Sequence, residues 1–557
     1  MLTHIGNTKT LVNENSISSA SKGRATRIWK LVIWGLLVTG VCLRIYHYLV
    51  NRSLWLDEIY LASSLVNMDL LDLIFSDLEY QQKAPLGFLL MCKLTVVLFG
   101  GSEMALRLFP LLCGLASLYI FRIVCGRYLQ LPGVAVAVAI FAFAPPLVYH
   151  TVEIKQYSAE LLASVLCLYL YLVYHKKRNF RSLMLWGVWG ALIIWFSFSS
   201  IFILAGMAIG VSLYHLFRRD WKSVMRLSFP FVLWAISFGV NYLIITSKHT
   251  DSAWLIHYFK IRNGFMPFPP SSLRDFLWPI RKGVNRLIRF PLGLLWEGGS
   301  QFGLLGYFLK TPIIPILCIV SGLITFFKRD RQTLLVLLLP YVLVVGASAA
   351  ELYPMYERLT VFLAPLFILI IALGSEQIIQ ILRSVSRRGA YVFPLLLLLA
   401  PFWATAKQMV YPELLGGYKK AYYREALLYI NSQFKEGDTV YVYWNMLTPY
   451  WFYRKTHGLA FQAKEGQDFR AVSNNSPDYF ARLTPELEAL KKSKRVWVLY
   501  SKNRGSKIGE FEKRPAWYYK EVVGGKKLHQ KFSAMGTEVS SYETPELKVS
   551  LFQMQTE

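Results

Sequence analysis

Two adjacent carboxylates, Asp57 and Glu58, follow the first long apolar run of this 557-residue sequence, within Trp55-Leu56-Asp57-Glu58. The run begins near residue 31 and is long enough to cross a membrane. A carboxylate at that depth can take the proton from an attacking hydroxyl, which contributes about 10²–10⁴-fold to a rate. Asp57 fits such a base, and Glu58 could orient an acceptor or a metal ion. The alternative is a solvated loop or a helix N-terminus without chemistry.

Four cations have the charge needed to hold a phosphate group: Lys83, Arg107, Lys155 and Arg358. Arginine suits bidentate contact with phosphate, whereas lysine acts as a point charge. Arg107 and Lys83 could instead extend to lipid headgroups at the ends of spans. Arg358 beside Glu357 could form an interfacial ion pair worth roughly 0–1 kcal/mol. The sequence therefore gives candidates for a phosphate site and leaves these alternatives open.

The composition indicates which elements must position these groups. Hydrophobic residues make up 54% of the chain and charged residues 17%, which is too apolar for a soluble protein of this length. The net charge of +27 does not predict nucleic-acid binding, because the basic residues lie in short clusters between apolar runs. That distribution is typical of the cytoplasmic loops of a membrane protein.

Eleven apolar runs are long enough to span a membrane, since a span needs roughly 17 to 25 residues. They begin near residues 31, 105, 134, 158, 183, 199, 227, 311, 333, 359 and 390. A twelfth run, 84–100, carries Lys93 near its middle. If 84–100 does not cross, five successive basic loops lie on the side of the N-terminus, as the positive-inside rule requires. We therefore expect 84–100 to lie in the outer interface.

This topology predicts an α-helical polytopic membrane protein of about eleven spans with its N-terminus in the cytoplasm. The tail alternates helical and β-rich patterns, such as Thr439–Trp444 and Arg495–Tyr500, which predicts a small C-terminal α/β domain outside the membrane. The expected domains are a cytoplasmic segment 1–30, a membrane domain 31–406 with outer loops 50–104 and 247–310, and an extracytoplasmic domain 407–557.

The arrangement resembles the GT-C superfamily of polyprenyl-phosphate-sugar glycosyltransferases, especially the protein O-mannosyltransferase and aminoarabinose transferase branch (glycosyltransferase family 39 type). The resemblance extends from the first span to about residue 406. It rests on four motifs in one order and on one predicted face: Asp57-Glu58, Lys83-Ala84-Pro85, Arg107-Leu108-Phe109-Pro110 and Tyr353-Pro354-Met355-Tyr356-Glu357-Arg358. The tail resembles the extra outer domain of some family members.

The resemblance implies an inverting enzyme that moves a single sugar from a polyprenyl-phosphate donor to an acceptor outside the cytoplasm. It also implies a second active-site carboxylate at Glu153, whose other interpretation is a favourable charge at a helix N-terminus, worth about 0.3–1 kcal/mol. Tyr157 and Tyr356 are the expected substrate contacts. We expect a multi-pass protein of a bacterial inner membrane, with membrane lipids around it.

The sequence gives less support to other classes of membrane protein. Neither a GxxxxGK[ST] nor an HExxH motif occurs, which argues against a P-loop ATPase and a zincin peptidase. Charged residues within the spans are few, which disfavours an ion-coupled transporter. A flippase, polymerase or ligase of lipid-linked saccharide remains the alternative. The sugar, the acceptor (protein, lipid or polysaccharide) and the need for a divalent cation stay open.

Overall fold

The computed structural model describes residues 6–246, 253–298, 303–417, 420–502, 507, 509–510, 514–522 and 525–555. Part of the predicted outer loop 247–310 lies outside these residues. The α-helices described before residue 411 are α1 (Gly6–Val50), α2 (Leu56–Asn67), α3 (Leu70–Phe75), α4 (Leu86–Phe99), α5 (Glu103–Tyr128), α6 (Leu131–Phe143), α7 (Pro145–Tyr149), α8 (Tyr157–Tyr174), α9 (Phe180–Ile194), α10 (Ser200–Phe217), α11 (Trp221–Asn241), α12 (Ala253–Lys260), α13 (Leu273–Phe276), α14 (Asn285–Arg289), α15 (Gly303–Lys310), α16 (Ile313–Arg329), α17 (Arg331–Ala349), α18 (Ala364–Val385) and α19 (Arg387–Val410).

The chain forms two compact units. Unit 1 contains Met1–Val50, Phe109–Lys248 and Asn263–Leu415, and unit 2 contains Asn51–Leu108, His249–Arg262 and Gly416–Glu557. Most of the predicted outer loop 50–104 thus shares a unit with the tail. The predicted division at residues 30 and 406 stays a prediction.

The polytopic helical class is confirmed. Within the described residues, eight helices are long and apolar enough to cross a membrane, or ten if each of two bent helix pairs forms one span. The one predicted span not among these ten begins near residue 183. It corresponds to α9, whose 15 residues are fewer than the usual 17 to 25. The run 84–100 forms α4, a 14-residue helix of roughly 21 Å, shorter than the hydrocarbon core of about 30 Å.

Helix α18 is the centre of unit 1, where it packs against α6, α16 and α19. It crosses α16 closely because both helices carry glycine at the crossing. A Cβ atom at Gly374 would overlap the carbonyl oxygen of Cys318, and one at Gly322 would overlap that of Ile370. Small residues of this kind allow helix backbones to approach each other within a membrane.

One bent pair consists of α6 and α7, which meet at an angle of 57°. Pro145 and Pro146 begin α7 and cannot donate the backbone hydrogen bonds that would continue α6. Arg44 of α1 is fully buried and donates from Nη1 to the carbonyl of Ala142 (3.1 Å) and from Nη2 to that of Phe141 (3.0 Å). The guanidinium thus satisfies carbonyl groups that the break leaves without helical partners.

The tail in unit 2 has the predicted small α/β fold. Its described elements are α20 (Tyr423–Gln433), β1 (Thr439–Val442), α21 (Leu447–His457), β2 (Lys464–Glu465), α22 (Ser476–Glu488), β3 (Arg495–Ser501), α23 (Ala516–Glu521), α24 (Lys526–Ser533), β4 (Gly536–Glu543) and β5 (Leu547–Met554). The sheet order is β2-β1-β3-β5-β4, with β1 parallel to β2 and β3, and β5 antiparallel to β3 and β4. Both predicted β-rich runs form strands.

Candidate functional site

The carboxylate pair lies in the first turn of α2, in unit 2. Asp57 is half-buried, whereas Glu58 is fully buried. The Glu58 side chain turns back and accepts a long hydrogen bond of 3.4 Å from the backbone N–H of Trp55. Carboxylates in a first helical turn interact favourably with the helix dipole. Neighbouring positions thus carry one carboxylate turned back into the protein and one nearer the surface.

Two arginines bind the buried carboxylate. Glu58 lies 2.8 Å from Nη1 of Arg52 and 3.2 Å from Nη2 of Arg107. Arg107, only 1% exposed, also donates from Nη1 to the carbonyl of Arg52 (2.6 Å) and to Oδ1 of Asn51 (3.2 Å). The structure therefore brings together Glu58 and Arg107 among the predicted residues. Two guanidinium groups thus face the carboxylate that follows Asp57 in the sequence.

Lys83 is half-buried and follows a tight turn, Glu79–Gln81, that precedes α4. Tyr80 in this turn has a positive φ of 55° and packs its ring 4.8 Å from the ring of Tyr60 on α2. Burial raises the pKa of the Tyr60 hydroxyl, and the charge of Asp57 adds to the shift. The turn that precedes Lys83 is thereby packed against the helix that carries Asp57.

Glu153, in unit 1, is fully buried just after the turn His150–Val152. Its Oε2 lies 2.6 Å from Nδ1 of His150, and its Oε1 accepts a hydrogen bond of 3.1 Å from the Tyr149 hydroxyl. Helix α7 supplies Tyr149, so the break at Pro145 that Arg44 stabilises also determines where this cluster lies. A carboxylate paired in this way orients an imidazole ring.

The other predicted residues of unit 1 lie around the same turn or on the 350–358 loop. Lys155 is 6% exposed, and its backbone N–H donates to the carbonyl of Glu153. The Arg358 guanidinium lies 5.6 Å from the ring centre of Tyr157, which is itself 5.0 Å from the His150 ring. Glu153, Tyr157 and Arg358 are therefore brought together through His150 and the aromatic contact.

Tyr356 precedes the 3₁₀ segment Glu357–Leu363. Arg286 lies 5.9 Å from its ring centre and donates to the carbonyls of Met355 (3.1 Å) and Asn263 (2.7 Å). Burial lowers the pKa of the Arg286 guanidinium. This arginine holds the loop that carries Tyr356 and Arg358.

Sequence reasoning did not identify His150, Arg52 or Arg286. His150 stands three residues before Glu153, a spacing that puts two side chains on one face of a turn, so the signal was present. Arg52 follows the first span directly and is easily taken for a lipid contact. Nothing in the local sequence around Arg286 indicates the two carbonyl groups that it binds, which lie 23 and 69 residues away.

No cluster of three or more His, Cys, Asp or Glu side chains suited to hold a metal ion occurs among the residues that the structure describes. The predicted residues occur in two sets: Asp57, Glu58, Lys83 and Arg107 in unit 2, and Glu153, Lys155, Tyr157, Tyr356 and Arg358 in unit 1. Their convergence on one face stays a prediction.

Residues 83–245 match the family described as dolichyl-phosphate-mannose-protein mannosyltransferase. The predicted resemblance to GT-C glycosyltransferases is confirmed over this segment, which includes Lys83, Arg107 and Glu153 but not Asp57. No curated protein sequence matches the chain.

Three solved structures are similar to this one at 13% sequence identity each. ArnT from Cupriavidus metallidurans bound to undecaprenyl phosphate aligns over 93% of this chain and 98% of its own, with a TM-score of 0.48. Archaeal oligosaccharyltransferase AglB from Archaeoglobus fulgidus, in complex with an inhibitory peptide and a dolichol-phosphate, aligns over 93% and 74%, with a TM-score of 0.43. The Archaeoglobus fulgidus oligosaccharyltransferase complex with Zn and sulfate aligns over 92% and 72%, with a TM-score of 0.47.

Proposed function

We propose that the protein is an inverting glycosyltransferase that moves one sugar from a polyprenyl-phosphate donor to a hydroxyl acceptor outside the cytoplasm. The observation that carries the proposal is the carboxylate pair at the start of α2, where Glu58 is bound by two arginines and Asp57 remains half-buried beside them. The family matched by residues 83–245 is described by a lipid-phosphate-linked sugar donor, which supports the same reaction class.

In the proposed step, the acceptor oxygen attacks the anomeric carbon while Asp57 takes the hydroxyl proton. The bond from the anomeric carbon to the phosphate oxygen breaks, and polyprenyl phosphate leaves with the electron pair. Attack opposite the leaving group inverts the configuration at that carbon. A positioned base contributes about 10²–10⁴-fold to such a step.

The developing charge on the phosphate needs cations, because electrostatic stabilisation of the transition state often contributes more to catalysis than any other effect. We assign phosphate contact to Lys83, Lys155 and Arg358. Arg107 is proposed to support the same charge from its cluster with Arg52 and Glu58. Within its own unit, the Arg107 guanidinium is bonded to Asn51, Arg52 and Glu58.

The remaining residues are assigned to positioning and to substrate contact. Glu58 holds the first turn of α2 rather than reacting, because its carboxylate is buried in an ion-pair cluster. Glu153 is proposed to act together with His150, to which it is bonded at 2.6 Å. Tyr157 and Tyr356 offer aromatic faces near Arg358 and Arg286, respectively, for contact with the sugar or the acceptor.

An assay with the purified protein tests the proposal and the alternatives together. A synthetic polyprenyl-phosphate sugar and a polyprenyl-diphosphate oligosaccharide are offered separately, with and without a chelator. Transfer of one sugar from the monophosphate donor, with inverted configuration, supports the proposal. Transfer from the diphosphate donor alone would identify a polymerase or ligase, and transbilayer movement without transfer would identify a flippase.

Mass analysis of envelope glycans and glycolipids from cells with and without the protein would name the sugar and the acceptor class. We further propose a bacterial inner-membrane location with the N-terminus in the cytoplasm. A reporter fused after residue 178 should then report the cytoplasm, and one fused after residue 430 the outside. Both reporters on one side would overturn this topology.

A further inference from the structure

The segment 51–55 connects α1 to α2 and ends two residues before Asp57. It has no regular secondary structure, and Asn51 has a positive φ of 43°. Ser53 and Leu54 are buried. Buried backbone groups outside helices and sheets need partners elsewhere in the protein. Within unit 2, several of these partners come from the tail, from residues about 370 to 400 positions further along the chain.

Arg424, in the first turn of α20, is one of these partners. Its Nη2 donates to the carbonyl of Asn51 at 2.7 Å, and its backbone N–H donates to Oγ of Ser53 at 3.2 Å. Its Nη1 lies 2.8 Å from Oε1 of Glu103, the first residue of α5, whose side chain is 2% exposed. Burial alone would lower the pKa of this guanidinium, but the charges of Glu103 and Glu425 outweigh burial and raise it.

Tyr453 of α21 is the second partner and is fully buried. Its hydroxyl oxygen accepts from the backbone N–H of Leu54 at 3.0 Å and lies 3.2 Å from Oγ of Ser53. The same hydroxyl donates to Oε1 of Glu103 at 3.1 Å. Burial raises the pKa of the Tyr453 hydroxyl well above its ordinary value, so the proton stays available for the Glu103 bond.

Side chains of α5 also bind the segment 51–55 or its tail partners. Glu103 accepts the hydrogen bonds from Arg424 and Tyr453. Arg107, four residues further along α5, binds Asn51, the carbonyl of Arg52 and the carboxylate of Glu58. Positions four apart lie on the same face of a helix. The backbone that leads to Asp57 is thus bonded both to one face of α5 and to two tail helices.

We propose that Arg424 and Tyr453 are positioning residues for the carboxylate pair, so that the tail helps to build the reaction site. Through Asn51, Ser53 and Leu54 they determine where α2 begins and hence where the Asp57 side chain lies. The consequence for catalysis rests on the proposed function, whereas the consequence for the backbone does not. A misplacement of about 1 Å in a reacting group can lower a rate by about 10²-fold.

Tyr453→Phe is the sharpest test, because it removes one oxygen and keeps the ring. The Leu54 N–H loses its acceptor, so hydrogen exchange in a peptide covering residues 51–56 of the full-length protein should accelerate at least several-fold. Turnover should fall by about ten- to 10²-fold, with KM for both substrates little changed. Arg424→Gln should have the same signature, and Arg424→Lys should restore part of the turnover.

Arg482→Gln is the matched control, since Arg482 is an exposed tail arginine paired with Asp478 on the same helix. It should leave exchange at residues 51–56 and turnover at wild-type values. Unchanged exchange at residues 51–56 in Tyr453→Phe would overturn the proposal. A rise in the KM for the acceptor with unchanged turnover would also overturn it and would make the tail a substrate-binding module.

The two proposals fail in different ways. If the wild-type protein transfers no sugar from a polyprenyl-phosphate donor, the proposed function fails, and the exchange experiment still decides whether the tail holds the segment. If transfer occurs and Tyr453→Phe changes neither exchange nor turnover, the positioning role fails while the function stands.

Discussion

Two buried carboxylates that look alike in the sequence, Glu58 in unit 2 and Glu153 in unit 1, have different partners. Glu58 is bound by the guanidinium groups of Arg52 and Arg107. Glu153 is bound by the imidazole of His150 and the hydroxyl of Tyr149, both of which can be neutral. The first arrangement is an ion-pair cluster, whereas the second consists of an imidazole, a phenol and a carboxylate, which are groups that enzymes use for proton transfer. Under the proposed function, we therefore assign a positioning role to Glu58 and a proton-transfer role to the Glu153 cluster.

The largest expected effect concerns Asp57, the base of the proposed step, which directly precedes Glu58 in the first turn of α2. Asp57→Asn keeps the size of the side chain and removes its charge, so folding and insertion should persist. Turnover should fall by about 10²–10⁴-fold with a modest change in donor affinity. Asp77→Asn, an exposed carboxylate on the same predicted outer loop, is the matched control and should transfer sugar normally. Near wild-type turnover in Asp57→Asn would remove the residue from the mechanism.

Replacing the two buried carboxylates by amides tests the comparison directly. Glu58→Gln removes the buried carboxylate that Arg52 and Arg107 bind and should cost about 3–5 kcal/mol of stability. Glu153→Gln keeps hydrogen-bonding groups toward partners that can be neutral, so it should cost about 1–3 kcal/mol. Thermal unfolding of the two variants in the same lipid nanodiscs gives both values. Equal losses would mean that the partners do not distinguish the two carboxylates.

The coupling between His150 and Glu153 is the next smaller effect. A double-mutant cycle with His150→Gln and Glu153→Gln should give an interaction free energy of about 0.5–3 kcal/mol, because the two groups are in contact at 2.6 Å. The same cycle with Lys176→Gln, a cation in the predicted cytoplasmic loop after α8, should give additive changes. Additive changes in the first cycle as well would show that the contact between His150 and Glu153 does not contribute to the free energy of unfolding.

Much of the fold could be predicted, because apolar runs and basic clusters report local burial and local charge. The runs near 31, 105 and 390 became α1, α5 and α19, and both β-rich runs of the tail became strands. The break between α6 and α7 needed only the Pro145-Pro146 pair, which ends helical hydrogen bonding. Each of these features can be recognised from a short stretch of the sequence.

The partners of the site residues could not be predicted, because they depend on residues distant in the chain. Glu58 and Arg107 are 49 positions apart, and Arg424 is 371 positions from Ser53. The amphipathic pattern of α20 indicates which of its faces is buried but not what that face packs against. The phosphate role of Arg107 stays a prediction, since a basic residue at the end of a span looks the same in the sequence whether it faces a lipid, a phosphate or a carboxylate.

The smallest expected effect concerns a third carboxylate with an arginine partner, Asp468 in the tail. Arg470, 1% exposed, donates to both oxygens of Asp468 at 2.9 Å and stacks 3.7 Å from the ring centre of Trp444. Burial alone would raise the pKa of Asp468, but the hydrogen bonds and charge of Arg470 outweigh burial and hold it below its ordinary value. Asp468→Asn should cost about 1.5 kcal/mol at pH 7, less than Glu58→Gln, because Glu510 remains 3.1 Å from the same guanidinium.

The pH dependence tests whether Asp468 stabilises the tail through its charge. A carboxylate whose pKa is lowered on folding stabilises the protein above its unfolded pKa of about 3.9, and this contribution is lost as the pH falls through the folded value. The difference in unfolding temperature between wild type and Asp468→Asn should therefore be full at pH 7 and shrink as the pH falls below about 3.9, because the unfolded carboxyl is protonated first. Asp478→Asn, in the more exposed pair with Arg482, should change stability by only about 0–1 kcal/mol. A wild-type advantage that persists undiminished at pH 3 would show that Asp468 contributes through packing and not through its charge.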